Sequence, residues 1–280
     1  LNTQIQGIGV GLRHPHYQNF LSKPKPAVPW LEILSDNYLF TQGLLREKIL
    51  QIRADYPMVM HGVSLNIGSK DELDKNYLQH LVQLAKDIQP TWISDHLCWT
   101  GVNGVYSHEL LPLPYTEEAL QHVVSRVQMV QESLSMPLLL ENVSSYLQLA
   151  ATDYDEAMFV NEVAKRSGCF ILLDINNIYV SAYNHGFAAE DYLQAIEVQY
   201  VKQFHLAGYE ENQGLLIDTY AAIVSEAVWQ LYAAALQRFG PVPTNIEWDA
   251  DIPDWQTLKV QLDKANIIVK DYLSHRDASC

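Results

Sequence analysis

Cysteine is scarce in this chain. Cys98, Cys169 and Cys280 are odd in number and widely spaced, which excludes a disulfide framework, and they form no CxxC pair for zinc or redox chemistry. Free, buried thiols in strands are the expectation for Cys98 and Cys169, and a reducing cytoplasm is the compartment that suits them. Basic residues are also few: 18 Lys and Arg face 33 Asp and Glu, a formal net charge of −15. Nucleic-acid binders depend on phosphate contacts from a basic face, so this balance weighs against a nucleic-acid partner. No apolar run approaches the ~18–20 residues of a membrane span. The first residues lack a basic segment followed by an apolar one, so no signal peptide is expected. A GxGxxG loop is missing as well. The first strand-like run leads to Gly9-Val10-Gly11-Leu12-Arg13-His14, which disfavours an open, doubly wound dinucleotide fold.

What is present is a globular composition, 48% hydrophobic and 18% charged over 280 residues. Short apolar runs alternate with longer amphipathic stretches. The runs are Gln4–Leu12, Trp30–Leu34, Met58–Val63, Trp92–Leu97, Leu138–Asn142, Phe170–Ile175, Val201–Leu206 and Thr244–Trp248. Several are rich in Val, Ile and Leu without alternation, as strands buried on both faces should be. Between them, Glu117–Glu132 carries apolar residues at helical spacing with Thr116 as its N-cap. Asp155–Arg166 opens acidic and closes basic before Gly168, and Ala221–Phe239 and Asp254–Leu273 read as long helices. The pattern predicts an α/β fold: one (β/α)8 TIM-type barrel occupying residues 1–280 as a single domain.

The polar residues gather at the ends of the runs. In order these ends read His61-Gly62, Ser94-Asp95-His96, Glu141-Asn142, Asp174-Ile175-Asn176-Asn177, His205-Leu206 and Glu247-Trp248-Asp249. In a (β/α)8 barrel the carboxyl ends of the strands converge on one face, where active sites sit. Three histidines and several carboxylates crowded there disfavour one another's ionisation unless a cation supplies the counter-charge. Mixed imidazole and carboxylate donors suit iron, manganese or zinc. Singly, each residue has a plainer explanation: a hydrogen-bonded polar residue for a histidine, a helix N-cap for an aspartate or glutamate. Of the other histidines, His14 and His16 flank Pro15, and His108 lies in what reads as a loop. His80, His122 and His275 fall on helical stretches, where packing explains them. His185, in Asn184-His185-Gly186, is open between ligand and turn residue.

The ordered set of motifs resembles a known family. Gly9-Val10-Gly11-Leu12-Arg13, His61-Gly62-Val63-Ser64-Leu65, Ser94-Asp95-His96-Leu97-Cys98-Trp99, Leu140-Glu141-Asn142, Leu173-Asp174-Ile175-Asn176-Asn177, Asn184-His185-Gly186, His205-Leu206-Ala207-Gly208 and Glu247-Trp248-Asp249 are similar to the multinuclear non-haem iron-dependent oxidative enzymes. Relatives in that family include the iron oxygenase of methanobactin biosynthesis and the bufferin-maturing enzymes. The resemblance implies a (β/α)8 barrel with two or three irons that uses dioxygen to modify cysteine, or sometimes another residue, of a ribosomally made precursor peptide. It implies a companion protein that presents the peptide. Carried over by motif, the metal ligands are His61, His96, Glu141, Asp174, Asn177, His205, Asp218 and Glu247, with Glu141 as a bridge. The catalytic candidates are Glu141, Asp174 and Tyr220. One position departs from the pattern: after Leu215-Leu216-Ile217 the family usually has Asp-Thr-His, and this chain has Asp218-Thr219-Tyr220. That change puts a third metal in doubt.

Residue chemistry alone leaves an alternative standing. The same ligands on the same barrel would serve a divalent-metal-dependent hydrolase or isomerase, xylose isomerase-like or endonuclease-like, because paired metals also activate water. A peptide-binding scaffold with a vestigial site is the non-enzymatic option. Metal identity separates the first two.

Overall fold

The computed structural model describes residues 5–150 and 152–277; Gln4, Cys280 and the His108 side chain lie outside the described residues. In chain order the strands are β1 (Ile8–Gly11), β2 (Leu31–Leu34), β3 (Met58–His61), β4 (Ile93–His96), β5 (Trp99–Val102), β6 (Val105–Leu111), β7 (Leu138–Glu141), β8 (Phe170–Asp174), β9 (Val201–Leu206), β10 (Glu210–Asn212), β11 (Leu215–Ile217) and β12 (Thr244–Ile246). The helices are α1 (Tyr17–Leu21), α2 (Leu44–Arg53), α3 (Lys75–Ile88), α4 (Glu117–Leu134), α5 (Glu156–Ser167), α6 (Ile175–His185), α7 (Ala189–Ala195), α8 (Glu226–Phe239) and α9 (Trp255–Asp277).

Eight of the strands close a parallel barrel in the order β1, β2, β3, β4, β7, β8, β9, β12 and back to β1. The seam pairs Ile8 with Thr244 and Val10 with Ile246. Every one of the eight apolar runs contains one barrel strand, so the expected (β/α)8 architecture is the one observed. The remaining strands form two antiparallel hairpins, β5–β6 and β10–β11, inserted after β4 and β9. His108 thus belongs to a hairpin strand and not to a loop. The Trp30 indole occupies the space over Gly9: a Cβ there would lie 2.4 Å from the ring, so only glycine fits.

The helices start and stop where local chemistry directs. The side chains of Asp74, Thr116, Asp155 and Ser225 accept hydrogen bonds from the first-turn backbones of α3, α4, α5 and α8. Gly168 ends α5 at φ 76°, a conformation with no steric cost for glycine. Most helix boundaries fall within two residues of expectation, and two differ by more. Helix α9 runs on past Leu273 to Asp277, and α8 begins at Glu226 and not at Ala221. The segment before α8 is held out of the helix by tertiary contacts. Tyr220 has φ 48°, its carbonyl accepts from the N–H of Asp249 at 2.8 Å, and the Ala222 carbonyl presses on Gly208. Among the described residues, no helix is long and apolar enough to cross a membrane.

Candidate metal centre

The last residue or two of β3, β4, β7, β8 and β9, and the residue following β12, carry His61, His96, Glu141, Asp174, His205 and Glu247. All six are at most 4% exposed. They meet in two groups that share Glu141. In the first, His61, His96 and Glu141 bring one ligand atom each to within 4.8 Å of one another; in the second, Glu141, Asp174, His205 and Glu247 do the same. Glu141 Oε2 lies 3.2 Å from His61 Nε2 and 3.4 Å from His96 Nε2. Its Oε1 lies 3.2 Å from His205 Nδ1, which is itself 2.8 Å from Glu247 Oε2.

These atoms approach closely and still form no hydrogen bonds. Both oxygens of Glu141, Asp174 Oδ2, His205 Nδ1 and Glu247 Oε2 are buried and unpartnered. A buried polar atom without a partner costs roughly 1–3 kcal/mol. Five of them converging from three strands and a strand end are what a preformed cation site looks like before the cation is counted.

Each imidazole is turned by a bond at its other nitrogen. His96 Nδ1 donates to the Gly62 carbonyl at 3.2 Å, and His61 Nδ1 is 2.8 Å from the Ser94 hydroxyl, which donates onward to the Met60 carbonyl. His205 Nε2 lies 3.0 Å from Glu32 Oε1. In all three the nitrogen away from the centre has an acceptor, so a neutral ring turns its lone pair toward Glu141. Asp174 divides its carboxylate. Oδ1 accepts from the Asn177 N–H and caps α6, so the N-cap explanation holds for one oxygen while the other faces the centre.

Charge follows the same geometry. Burial and the neighbouring carboxylates Glu141 and Asp218 push Asp174 well above the usual range. Burial pushes Glu247 up to about 8, against His205 and with Asp249. His205 is raised despite burial, because Glu32, Glu247 and Glu141 surround it. His61 is lowered to about 4, chiefly by burial. Burial would raise Glu141 too, but three imidazoles outweigh it and hold this carboxyl below its ordinary value. Asp174, Glu247 and His205 thus hold their protons more tightly than usual, whereas His61 and Glu141 hold theirs less tightly. Arg13 is a fixed cation at its edge: Nε donates to Asp249 at 3.1 Å, and Nη2 contacts Asp249 and lies 3.6 Å from Glu247.

Asn177, Asp218 and Tyr220 form a separate polar group beside the second donor set. Asn177 Nδ2 donates to the Asn142 carbonyl and to the Tyr220 hydroxyl, both at 3.0 Å. Asn176 Nδ2 donates to Asp218 at 2.9 Å. Neither cation group includes Asp218.

His14, His16, His80, His122 and His185 belong to neither cation group. His14 is exposed, and His16 Nε2 donates to the Pro253 carbonyl at 2.8 Å. His80 bonds the Asn76 carbonyl, and His122 bonds the Ser69 carbonyl. His185 ends α6 and lines a side cavity of about 520 Å³ with Tyr115, Glu156 and Tyr192. Cys98 and Cys169 are free and buried, as expected, but they flank strands and do not lie in them: Cys98 falls between β4 and β5, and Cys169 precedes β8. Glu32, Gln203 and Asn245 escaped the sequence reading. The signal for Glu32 was present: a lone carboxylate in the middle of an apolar strand.

A closed parallel barrel whose strand ends gather buried imidazoles and carboxylates defines a TIM-barrel protein with a candidate metal centre. Two solved structures share the fold. A D-tagatose 3-epimerase-like protein matches at TM-score 0.59 with 16% identity, covering 98% of this chain and 99% of its own. Endonuclease IV from Thermus thermophilus matches at TM-score 0.60 with 13% identity, covering 96% of this chain and 99% of its own. Sequence relatives are nearer. A UPF0276 protein of Acaryochloris marina is 51% identical over 94% of this chain and 95% of its own length. One from Caulobacter vibrioides is 49% identical over 93% of each. The model of the RiPP precursor modification enzyme family MbnB/TglH/ChrH matches residues 7–270, and the chain belongs to that family.

Proposed function

We propose that this protein is an iron- and dioxygen-dependent enzyme that oxidatively modifies a cysteine of a ribosomally made precursor peptide. The observation that carries the reading is the convergence of unpartnered buried donors on Glu141. The donors are imidazoles and carboxylates with no thiolate among them, a set that suits iron. The reading assigns His61, His96 and Glu141 to one ion and Glu141, Asp174, His205 and Glu247 to a second. Family membership supports a precursor peptide as the substrate class.

Iron, when bound, supplies the electron chemistry and the activation of dioxygen. The chain does the rest. Glu141 presents one oxygen to each donor group and so fixes their separation. The outward bonds of the three imidazoles hold the lone pairs on the centre. Arg13 keeps Glu247 and Asp249 turned toward the barrel. Burial excludes bulk water from all six donors. A companion protein that presents the peptide, a cytoplasmic location and a single-domain chain belong to the same reading.

The test is direct. Protein loaded anaerobically with Fe2+ and mixed with a cysteine-bearing precursor peptide should consume dioxygen and change the peptide mass. A protein that holds zinc tightly, ignores dioxygen and hydrolyses or isomerises its substrate would replace this reading with the hydrolase or isomerase one.

A further inference from the structure

Four carboxylates stand within or directly beneath the centre, and they are not equivalent. Glu141, Asp174 and Glu247 each keep at least one buried oxygen without a partner. Glu32, on β2, keeps none. Its Oε1 accepts from Asn245 Nδ2 at 2.7 Å and faces His205 Nε2 at 3.0 Å, and its Oε2 accepts from Gln203 Nε2 at 2.5 Å and lies 3.1 Å from His205 Nε2. Gln203 is itself oriented, because the Trp92 indole N–H donates to its Oε1. Glu32, Gln203, His205 and Asn245 are all fully buried.

We infer that Glu32 is a positioning residue that never ligates. It takes the Nε2 proton of His205 in a hydrogen bond, and this holds the ring with Nδ1 facing Glu141 and Glu247. It also places a fixed negative charge behind the imidazole, which makes Nδ1 a stronger donor. Saturation by three side-chain donors is what keeps Glu32 from turning toward the centre itself. The inference rests on the metal reading given above.

Cobalt(II) is a suitable probe, since its visible bands report coordination and it shifts the proton resonances of its ligands. Wild-type protein titrated with Co2+ should fill both donor groups. It should show hyperfine-shifted imidazole N–H signals, of which the His205 Nε2–H exchanges slowly with D2O. Glu32→Ala should weaken the His205-containing group by about 10–100-fold while the His61 and His96 group fills normally, the usual effect of losing an outer partner. Glu32→Gln keeps the size of the side chain, but its NH2 must face an N–H donor on one side. It should therefore lose the slow exchange of the His205 signal and weaken the same group, and it serves as the measurement if Glu32→Ala does not fold. Both groups filling with wild-type affinity, with the His205 signal unchanged, would overturn the inference. Wild-type protein that takes up no cobalt would instead overturn the metal reading.

Discussion

The backbone N–H of Asn177 donates to Oδ1 of Asp174 at 2.7 Å, and Oδ2 of the same carboxylate has no partner. One side chain therefore starts helix α6 and serves the candidate centre. Asp174→Asn should separate the two tasks. The amide oxygen can still cap the helix, so the melting temperature should stay near wild type. The amide nitrogen cannot ligate, so metal per chain should fall. Asp174→Ala should show the same metal loss and, in addition, about 1 kcal/mol of lost stability from the missing cap. Unchanged metal content in the Asn variant, measured by elemental analysis, would remove Asp174 from the ligand set.

Glu141 is common to both donor groups. Glu141→Gln should lower the occupancy of both sites together, whereas a ligand to a single ion would empty only one. His122→Ala is the control, because His122 sits on α4 and bonds the Ser69 carbonyl. Full metal content in the Glu141 variant would show that it bridges nothing.

Tyr220 stands where the resemblance places histidine, and its hydroxyl accepts from Asn177 Nδ2 at 3.0 Å. Burial, and the carboxylates Asp218, Asp174, Glu141 and Glu247, push its ionisation well above the ordinary tyrosine value. In the metal-free chain the phenol therefore keeps its proton, and its oxygen is occupied by the hydrogen bond from Asn177, which favours a packing role over ligation. Oxidised iron-loaded protein should lack a tyrosinate charge-transfer band, and Tyr220→Phe should leave the visible spectrum unchanged. Tyr220→His should raise the iron content per chain. A band lost in the Phe variant would make Tyr220 a ligand.

Away from the centre, Glu156 sets a pH dependence of stability. Burial pushes its carboxyl up to about 7, against hydrogen bonds from Tyr192 and Tyr115. In the unfolded chain it ionises near 4.5. Between these values the folded protein keeps a proton that the unfolded chain has released, so rising pH favours unfolding. The contribution is complete below the unfolded value and is lost as pH climbs through about 7. Glu156→Gln cannot ionise. Its melting temperature should gain on wild type as pH is raised from about 5 to about 8. Parallel curves for the two proteins would sink the assignment.

The barrel was legible because parallel strands buried on both faces read as unbroken apolar runs, each closed by a polar residue. The six principal donors follow from the same feature, since every one lies at or just beyond the carboxyl end of such a run. Other features depend on distant partners. Glu32 meets Gln203 and Asn245 across separations of 171 and 213 residues, so nothing near it in the chain announces its bonds. Ala221 to Val224 include good helix formers, and tertiary contacts of Tyr220, Gly208 and Gln261 hold them out of α8. The division of the donors into two groups around Glu141 depends on side-chain orientation, which no residue pattern encodes.

The seam between β1 and β12 gives the two donor groups different histories. His61, His96 and Glu141 lie on strands that neighbour one another in the barrel, and none comes later in the chain than β7. Glu247 follows the last strand. It is steered by Arg13, whose bond to the adjacent Asp249 spans 236 residues of chain. Every residue of the first trio is present in the chain once β7 has been made, whereas the second group lacks Glu247 until the segment after β12 has followed and the seam with β1 can close.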